Sequence, residues 1–330
     1  MTKNNIDPFS NHPTDTIKLI KVAAIKMAQG AGEIIMDNFG KDFKTTYKDV
    51  QKSDPVTEVD NKVQDFIVKS IADSFPEHGI IGEEDKIPLK GKVPDYTWVL
   101  DPLDGTKNFL NGLPIFASSI GVLHRGIPIV GSIFVPWPGK ANGSIFHASS
   151  GGGAYVDEQE LYLGKPIGQR NDRLITLPGS FHDKYQFIKN NFSGGELRIA
   201  GSIAYEMAMN ASGSLSYSLI ASPYIWDVVA GSILIKEAGG TVLIGQSNTN
   251  TSVLKPNNLH WETFDSFWPN WDQNRPNFTS IRSWRSPLIV GNPDISLSIA
   301  NNLLSSTKTN DRLINALSKK IKSVFTRHAK

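Results

Sequence analysis

Hydrophobic positions fall into a helical rhythm near the start of the chain. From Thr16 to Phe39, Ile17, Ile20, Ala24, Met27, Ala31, Ile34 and Ile35 recur every three or four residues, and Gly40 offers a left-handed stop. That spacing predicts one amphipathic helix. A second apolar stripe, Val59, Val63, Phe66, Ile67 and Ile71, predicts another. Thr57 is placed to cap it, with Asp60 in the first turn where a carboxylate favours the helix dipole. Pro76 and Gly79 then break the chain before a short apolar strand, Gly79 to Gly82. From Tyr96 the period shortens. Tyr96 to Leu100 reads as a buried strand running directly into Asp101, and Phe116 to His124 with Ile127 to Val135 as a hairpin around Arg125-Gly126. Strands near Ser144 to His147 and Ala154 to Val156 complete an antiparallel set. Beyond Gly164, strands Arg173 to Leu177 and Leu215 to Leu219 alternate with helices Ala204 to Ala211 and Trp226 to Ala238, which is α/β texture. The chain thus divides near residue 165 into an α+β half (1–165) and an α/β half (166–330), with no internal repeat.

Two stretches stand outside this pattern. Gln246 to Arg285 is polar and irregular yet holds four of the seven tryptophans, Trp261, Trp268, Trp271 and Trp284. Structureless loops of this length are uncommon inside compact domains, which leaves an ordered insertion, acting as a surface cap or subunit contact, or a lid over a site. At the C-terminus, Asp311 to Phe325 repeats Leu313, Ile314, Leu317, Ile321 and Val324 at helical spacing with lysines on the other face.

Composition narrows the classes. With 330 residues, 39% hydrophobic and 20% charged, the chain is an ordinary globular one. Its net charge of +2 hides a basic tail: Ser306 to Lys330 has seven Lys or Arg and one acid, so the rest is about −4. An acidic body argues against a nucleic-acid partner. There is no cysteine, which excludes disulfides, thiolate catalysis and cysteine-ligated metals. Met1 to Thr16 is polar with Pro8 and Pro13 and lacks a signal peptide's apolar core, and no run approaches a membrane span of ~18–20 apolar residues. The expectation is a cytoplasmic protein with no membrane partner. Seven scattered histidines without a four-residue pair give a His-based zinc site no support. Gly151-Gly152-Gly153 reads as a hairpin turn, since no Gly-Lys-Ser/Thr follows it.

The chemistry concentrates in Trp98-Val99-Leu100-Asp101-Pro102-Leu103-Asp104-Gly105-Thr106-Lys107-Asn108-Phe109. A greasy strand ends in one aspartate and a second follows three residues on. Two neighbouring buried carboxylates are costly unless cations neutralise them. Magnesium takes carboxylate, carbonyl and water oxygens, and Pro102 would leave the Leu103 carbonyl free to point inward. Gly105 and Thr106 would present backbone N–H groups to a phosphate. Aspartyl-phosphate phosphatases separate their aspartates by one residue; here two intervene. Glu83-Glu84 again ends an apolar strand in acid, and Asp227 opens an apolar helix after Ser222-Pro223.

Ser53 to Asp60, Gly82-Glu83-Glu84, Asp101 to Thr106 and Trp226-Asp227 through Gly239-Gly240 together resemble the inositol monophosphatase family, in order and separation, over about residues 15–245 and again over 287–303. The resemblance implies a layered αβαβα sandwich and a magnesium-dependent, lithium-sensitive phosphomonoesterase acting on a small phosphorylated metabolite. It implies two or three magnesium ions per site, with manganese as a substitute. Glu83, Asp101 and the Leu103 carbonyl would hold the first, Asp101, Asp104 and Asp227 the second, and a weak third would lean on Glu83. Asp60 with Thr106 would orient and deprotonate the attacking water; Gly105, Thr106 and the loop Gly201-Ser202-Ile203 would contact phosphate and substrate. A homodimer is implied as well. The chain departs from the family in its longer tryptophan-rich insertion and at one residue: seven positions before Asp227, where inositol-specific members carry a glutamate for the sugar hydroxyls, stands Ile220. Histidinol phosphate, sugar phosphates, fructose bisphosphate and adenosine 3′,5′-bisphosphate stay open as substrates, and a binding protein that keeps the fold with little catalysis is the competing class.

Overall fold

The computed structural model describes residues 14–41, 45–47, 51, 55–85, 91–140, 142–163, 173–188, 195–247 and 259–305. The N-terminal arm, the 164–172 junction around the expected division and the basic C-terminal helix lie outside the described residues, apart from the first turn of the opening helix.

That helix, α1 (Thr14–Asn38), is followed by a ribbon of β1 (Thr45–Tyr47) and β2 (Pro55–Thr57) and then by α2 (Glu58–Ser74). Thr57 caps α2 as its sequence predicts, and Asp60 completes a capping box by accepting from the Thr57 backbone at 2.8 Å. One seven-stranded sheet follows in chain order: β3 (Gly79–Gly82), β4 (Tyr96–Asp104), β5 (Ala117–His124), β6 (Ile127–Lys140), β7 (Gly143–Ser149), β8 (Ala154–Val156) and β9 (Gln159–Leu161). A short helix, α3 (Thr106–Leu110), joins β4 to β5. All neighbours are antiparallel except β3 and β4, which run parallel. The Glu83 to Asp95 connection is long enough to return the chain to the same end, as parallel pairing requires.

The second half contributes β10 (Leu174–Thr176), α4 (Phe181–Lys184), β11 (Tyr185–Phe187), β12 (Glu196–Arg198), α5 (Ile203–Ala211), β13 (Tyr217–Ile220), α6 (Ile225–Glu237), β14 (Thr241–Ser247), β15 (Leu259–Thr263), α7 (Phe278–Arg282), β16 (Leu288–Gly291), α8 (Pro293–Asn302) and β17 (Leu303–Ser305). Its six-stranded sheet, ordered β12-β10-β13-β16-β14-β15, is parallel over the first three strands and antiparallel over the rest. The α/β texture therefore ends in a mixed sheet: β13 and β14 are parallel strands joined through α6, and β16 lies between them antiparallel to both.

Alternation along β4 shows how the layers stack. Trp98 and Leu100 point into a core shared with α1 and α2, while Val99 points into a core shared with α5 and α6. The second sheet covers the other side of α5 and α6 and packs its far face against α4 and α8 through Ile175, Leu219, Ile289, Phe181 and Ile299. The result is the αβαβα sandwich. Helix α6 is apolar all round because it lies between two sheets. It also sits unusually close to the first one: a Cβ on Gly121 would come 2.4 Å from Val229, and one on Gly131 2.4 Å from the Ala230 carbonyl oxygen. These two glycines draw α6, and Asp227 in its first turn, down toward β5 and β6.

The tryptophan-rich stretch is ordered where it is described. Residues 259–285 form β15, a packed loop and α7, with Phe264, Phe267, Trp271, Phe278 and Ile281 buried in the core beside α6. Trp271 Nε1 donates to Asp95 at 3.3 Å, and the Phe267 N–H donates to Gly126 at 2.8 Å. Aromatic burial rather than backbone regularity gives these residues their structure. Residues 248–258 lie outside the described set. Among the described residues no helix is long and apolar enough to cross a membrane.

Candidate active site

Where β4 ends, the chain makes a bulge between Asp101 and Asp104. Pro102 has no N–H to donate to a ladder, and the Asp101 Oδ1 atom accepts the Leu103 N–H at 3.1 Å, which turns the strand tightly on itself. Gly105 follows at φ 91°, a left-handed conformation in which a Cβ would press at 3.0 Å on both the Ile115 carbonyl oxygen and Ser202. This corner forms the floor of an open pocket of about 230 Å³.

Glu83, Asp101, Asp104 and Asp227 all line that pocket, with Leu103, Gly105, Thr106 and Gly201. Three separate segments thus bring their acids together. Each acid is held by its own surroundings. Asp104 Oδ2 accepts from Ser202 Oγ at 2.8 Å and from the Ala204 N–H at 2.5 Å, at the start of α5. Asp227 Oδ2 accepts the Tyr224 N–H at 2.7 Å in the first turn of α6. The Glu83 N–H is tied to Leu100 at 3.0 Å, so this glutamate stands beside the end of β4.

Asp60 and Thr106 also meet, from positions 46 residues apart. Thr106 Oγ1 lies 3.3 Å from Asp60 Oδ1 and 3.0 Å from the Leu103 carbonyl oxygen. The hydroxyl has one proton for two acceptors. The Leu103 carbonyl, expected to be free, therefore already faces a donor, although its second lone pair stays available. Of the expected substrate loop, only Gly201 faces the pocket. Ser202 is buried and donates to Asp104, and Ile203 packs against the core.

Burial is the largest electrostatic influence. It raises Asp101 well above the usual carboxylate range, reinforced by the charges of Glu83, Asp104 and Asp227. Burial likewise raises Asp227, with Asp104 adding to it, and lifts Asp104 to about 7 and Asp60 to about 6. Acids that resist ionisation together in this way favour any cation that enters among them. Among the described residues, however, no three His, Cys, Asp or Glu side chains already form a ready-made metal cage. The donors are all hard oxygens, which fits magnesium or manganese in kind, and the acids must draw in to close around an ion.

The pocket also holds residues to which the sequence motifs assign no role. Pro55, Lys107, Tyr224 and Trp226 line it, and Asn108 donates to the Ile115 and Ala200 carbonyl oxygens at 2.6 and 2.8 Å, fixing the loop that carries Gly201. Lys107 and Asn108 belong to the same Trp98–Phe109 stretch as Asp101 and Asp104. Ile220 is buried at the end of β13 and does not line the pocket.

A fold of this kind is found in known proteins. The inositol monophosphatase family model matches residues 17–268, reaching past 245 into the tryptophan-rich stretch. An Aquifex aeolicus protein named fructose-1,6-bisphosphatase/inositol-1-monophosphatase is 32% identical over 69% of this chain and 87% of its own length. A Pasteurella multocida protein named Nus factor SuhB is 32% identical over 66% of this chain and 82% of its own. A solved IMPase/NADP phosphatase, complexed with Mg2+ and phosphate, superposes with a TM-score of 0.63 at 16% identity, covering 86% of this chain and 95% of that one, which shows a shared fold. The chain belongs to the inositol monophosphatase family, and is a phosphoric monoester hydrolase of small phosphorylated metabolites.

Proposed function

We propose that the chain is a magnesium-dependent phosphomonoesterase, a reading carried by the convergence of Glu83, Asp101, Asp104 and Asp227 on one pocket. These four side chains and the Leu103 carbonyl would hold two or three magnesium ions, or manganese in their place, supplying Lewis-acid polarisation of the phosphoryl oxygens and neutralising charge. The protein's own groups do the rest. Thr106 and Asp60 form a short proton path beside the pocket: Asp60 accepts from Thr106, and Thr106 in turn accepts from a water placed in line with phosphorus. The Asp60 carboxyl, raised by burial to about 6, is tuned closer to neutrality than a surface aspartate, as a general base requires. Gly105 allows phosphate to approach the backbone closely, and Lys107, which lines the same pocket, adds a positive charge.

Recognition of the rest of the substrate departs from the inositol pattern. Ile220 offers no acceptor for a sugar hydroxyl, and losing one such hydrogen bond costs ~1–3 kcal/mol. The substrate class is therefore a small phosphate ester bound without a carboxylate at that position. The test is phosphate release from a panel of inositol monophosphate, histidinol phosphate, sugar phosphates, fructose bisphosphate and adenosine 3′,5′-bisphosphate, with and without magnesium and lithium. Asp101→Asn and Asp104→Asn are expected to abolish the magnesium-dependent release while the variants stay folded. Full activity in either removes the proposed site. No release from any compound would favour the competing class, a binding protein on this fold. We further propose a homodimer working in the cytoplasm, read by sedimentation of the purified chain and by localisation of a tagged copy.

A further inference from the structure

The two turns that carry Glu83 and Asp227 come from opposite halves of the chain, and one guanidinium touches both. Arg282 closes α7 at the end of the tryptophan-rich stretch. Its Nη1 donates to the Gly82 carbonyl oxygen and, at 2.8 Å, to Asp85 Oδ2. Asp85 also accepts the Gly82 N–H at 2.9 Å, and Gln64 reaches the same turn through the Glu84 N–H at 3.0 Å. The 82–85 turn that presents Glu83 is thus locked from outside by Arg282. On its other side the same guanidinium lies 4.9 Å from the Trp226 ring. Trp226 stacks on Tyr224 with centroids 4.5 Å apart and planes within 11°, and Arg285 sits 3.1 Å from the Tyr224 ring. Asp227 belongs to this turn, held by the Tyr224 N–H.

We propose that Arg282 is a positioning residue that sets the spacing between Glu83 and Asp227, so that residues 259–285 serve the site as a brace and not as a lid. This rests on the metal-site reading above. An arginine suits the task because its planar fork reaches a carbonyl and a carboxylate while its face lies on an indole; a lysine ammonium makes only point contacts. Both partners of the Arg282–Asp85 pair are largely shielded, with 26% and 17% of their side chains exposed, so the pair is not an ordinary surface ion pair. Because the acids do not yet form a closed cage, whatever restricts their turns lowers the ordering needed to close it. Groups that orient metal ligands from behind are worth ~10–100-fold in metal affinity.

The test is calorimetric titration of Mg2+ alone into metal-stripped protein, compared with melting temperature. Arg282→Met is expected to weaken Mg2+ binding by ~10-fold or more, and Arg282→Lys to recover part of it. The control is Arg275→Met. Arg275 anchors the same stretch to Asp95 and to the Val93 carbonyl oxygen, and its fork touches neither acid-bearing turn. It is expected to lower the melting temperature yet leave Mg2+ affinity within about twofold. Should Arg282→Met fail to fold, Asp85→Asn removes the ion pair at constant size and is expected to weaken Mg2+ in the same direction. Wild-type affinity in Arg282→Met, or equal losses in the two arginine variants, would overturn the brace while leaving the metal site standing. A wild-type protein that ignores Mg2+ would remove the site reading itself, and the brace with it.

Discussion

Glu206 is a buried acid that the proposed chemistry does not use, and replacing it with glutamine should stabilise the metal-free protein at high pH only. Its Oε2 accepts from Thr176 Oγ1 at 2.9 Å and its Oε1 from the Ala200 N–H at 3.2 Å, yet burial still lifts its carboxyl from 4.5 to about 7. A folded-state value above the unfolded one means that the folded protein keeps a proton the unfolded chain has already released. The group's contribution to stability is full below about pH 4.5 and is lost as pH rises through about 7. That difference corresponds to ~3 kcal/mol for the ionised group. Glutamine removes the ionisation but weakens one hydrogen bond, which offsets ~1 kcal/mol. The net expectation is a gain of ~1–2 kcal/mol at about pH 8, and no gain or a slight loss at about pH 5. For a protein of this size that is roughly 1.5–3 °C in melting temperature. Thermal melts of both proteins in a chelator, at the two pH values, read it directly. A Glu206→Gln protein with the same stability difference from wild type at both pH values would refute the assignment of a buried, protonated Glu206.

Two further substitutions separate chemistry from scaffold. Asp60→Asn should reduce turnover by ~10²–10⁴-fold while Mg2+ affinity, measured by calorimetry, stays near wild type; an unchanged rate would remove Asp60 from the proton path. Gly121→Ala pushes a methyl into Val229 and the backbone of α6 and should cost ~1–3 kcal/mol, seen as a lower denaturation midpoint, with weaker Mg2+ binding because Asp227 rides on that helix. A neutral effect on both would show that the close approach of α6 is not needed.

The elements most legible in the sequence were those whose burial repeats at a fixed period. The stripe Val59, Val63, Ile67 and Ile71 and the capping threonine defined α2, and Trp98-Val99-Leu100 defined β4, because local pattern and tertiary burial agree there. The carboxylate pocket was legible for the same reason: an acid at the end of an apolar strand has nowhere to go but the pocket rim. Residues 259–285 were less legible because their burial comes from scattered aromatics such as Phe264, Phe267 and Trp271, whose spacing follows neither period. Ser202 was expected at the substrate and instead holds Asp104, since sequence spacing places a loop near a site but not which way each side chain turns. Arg282 was invisible for a plainer reason: its partners, Gly82, Asp85 and Trp226, lie between 56 and 200 residues away along the chain.

Crystals of the protein soaked in Mn2+ and measured for anomalous scattering address the convergence of acids most directly. Strong peaks are expected in the pocket, within ligand distance of Asp101 and shared among Glu83, Asp104 and Asp227, with the four side chains drawn in around them. An empty pocket at saturating Mn2+, with those carboxylates still apart, would contradict it.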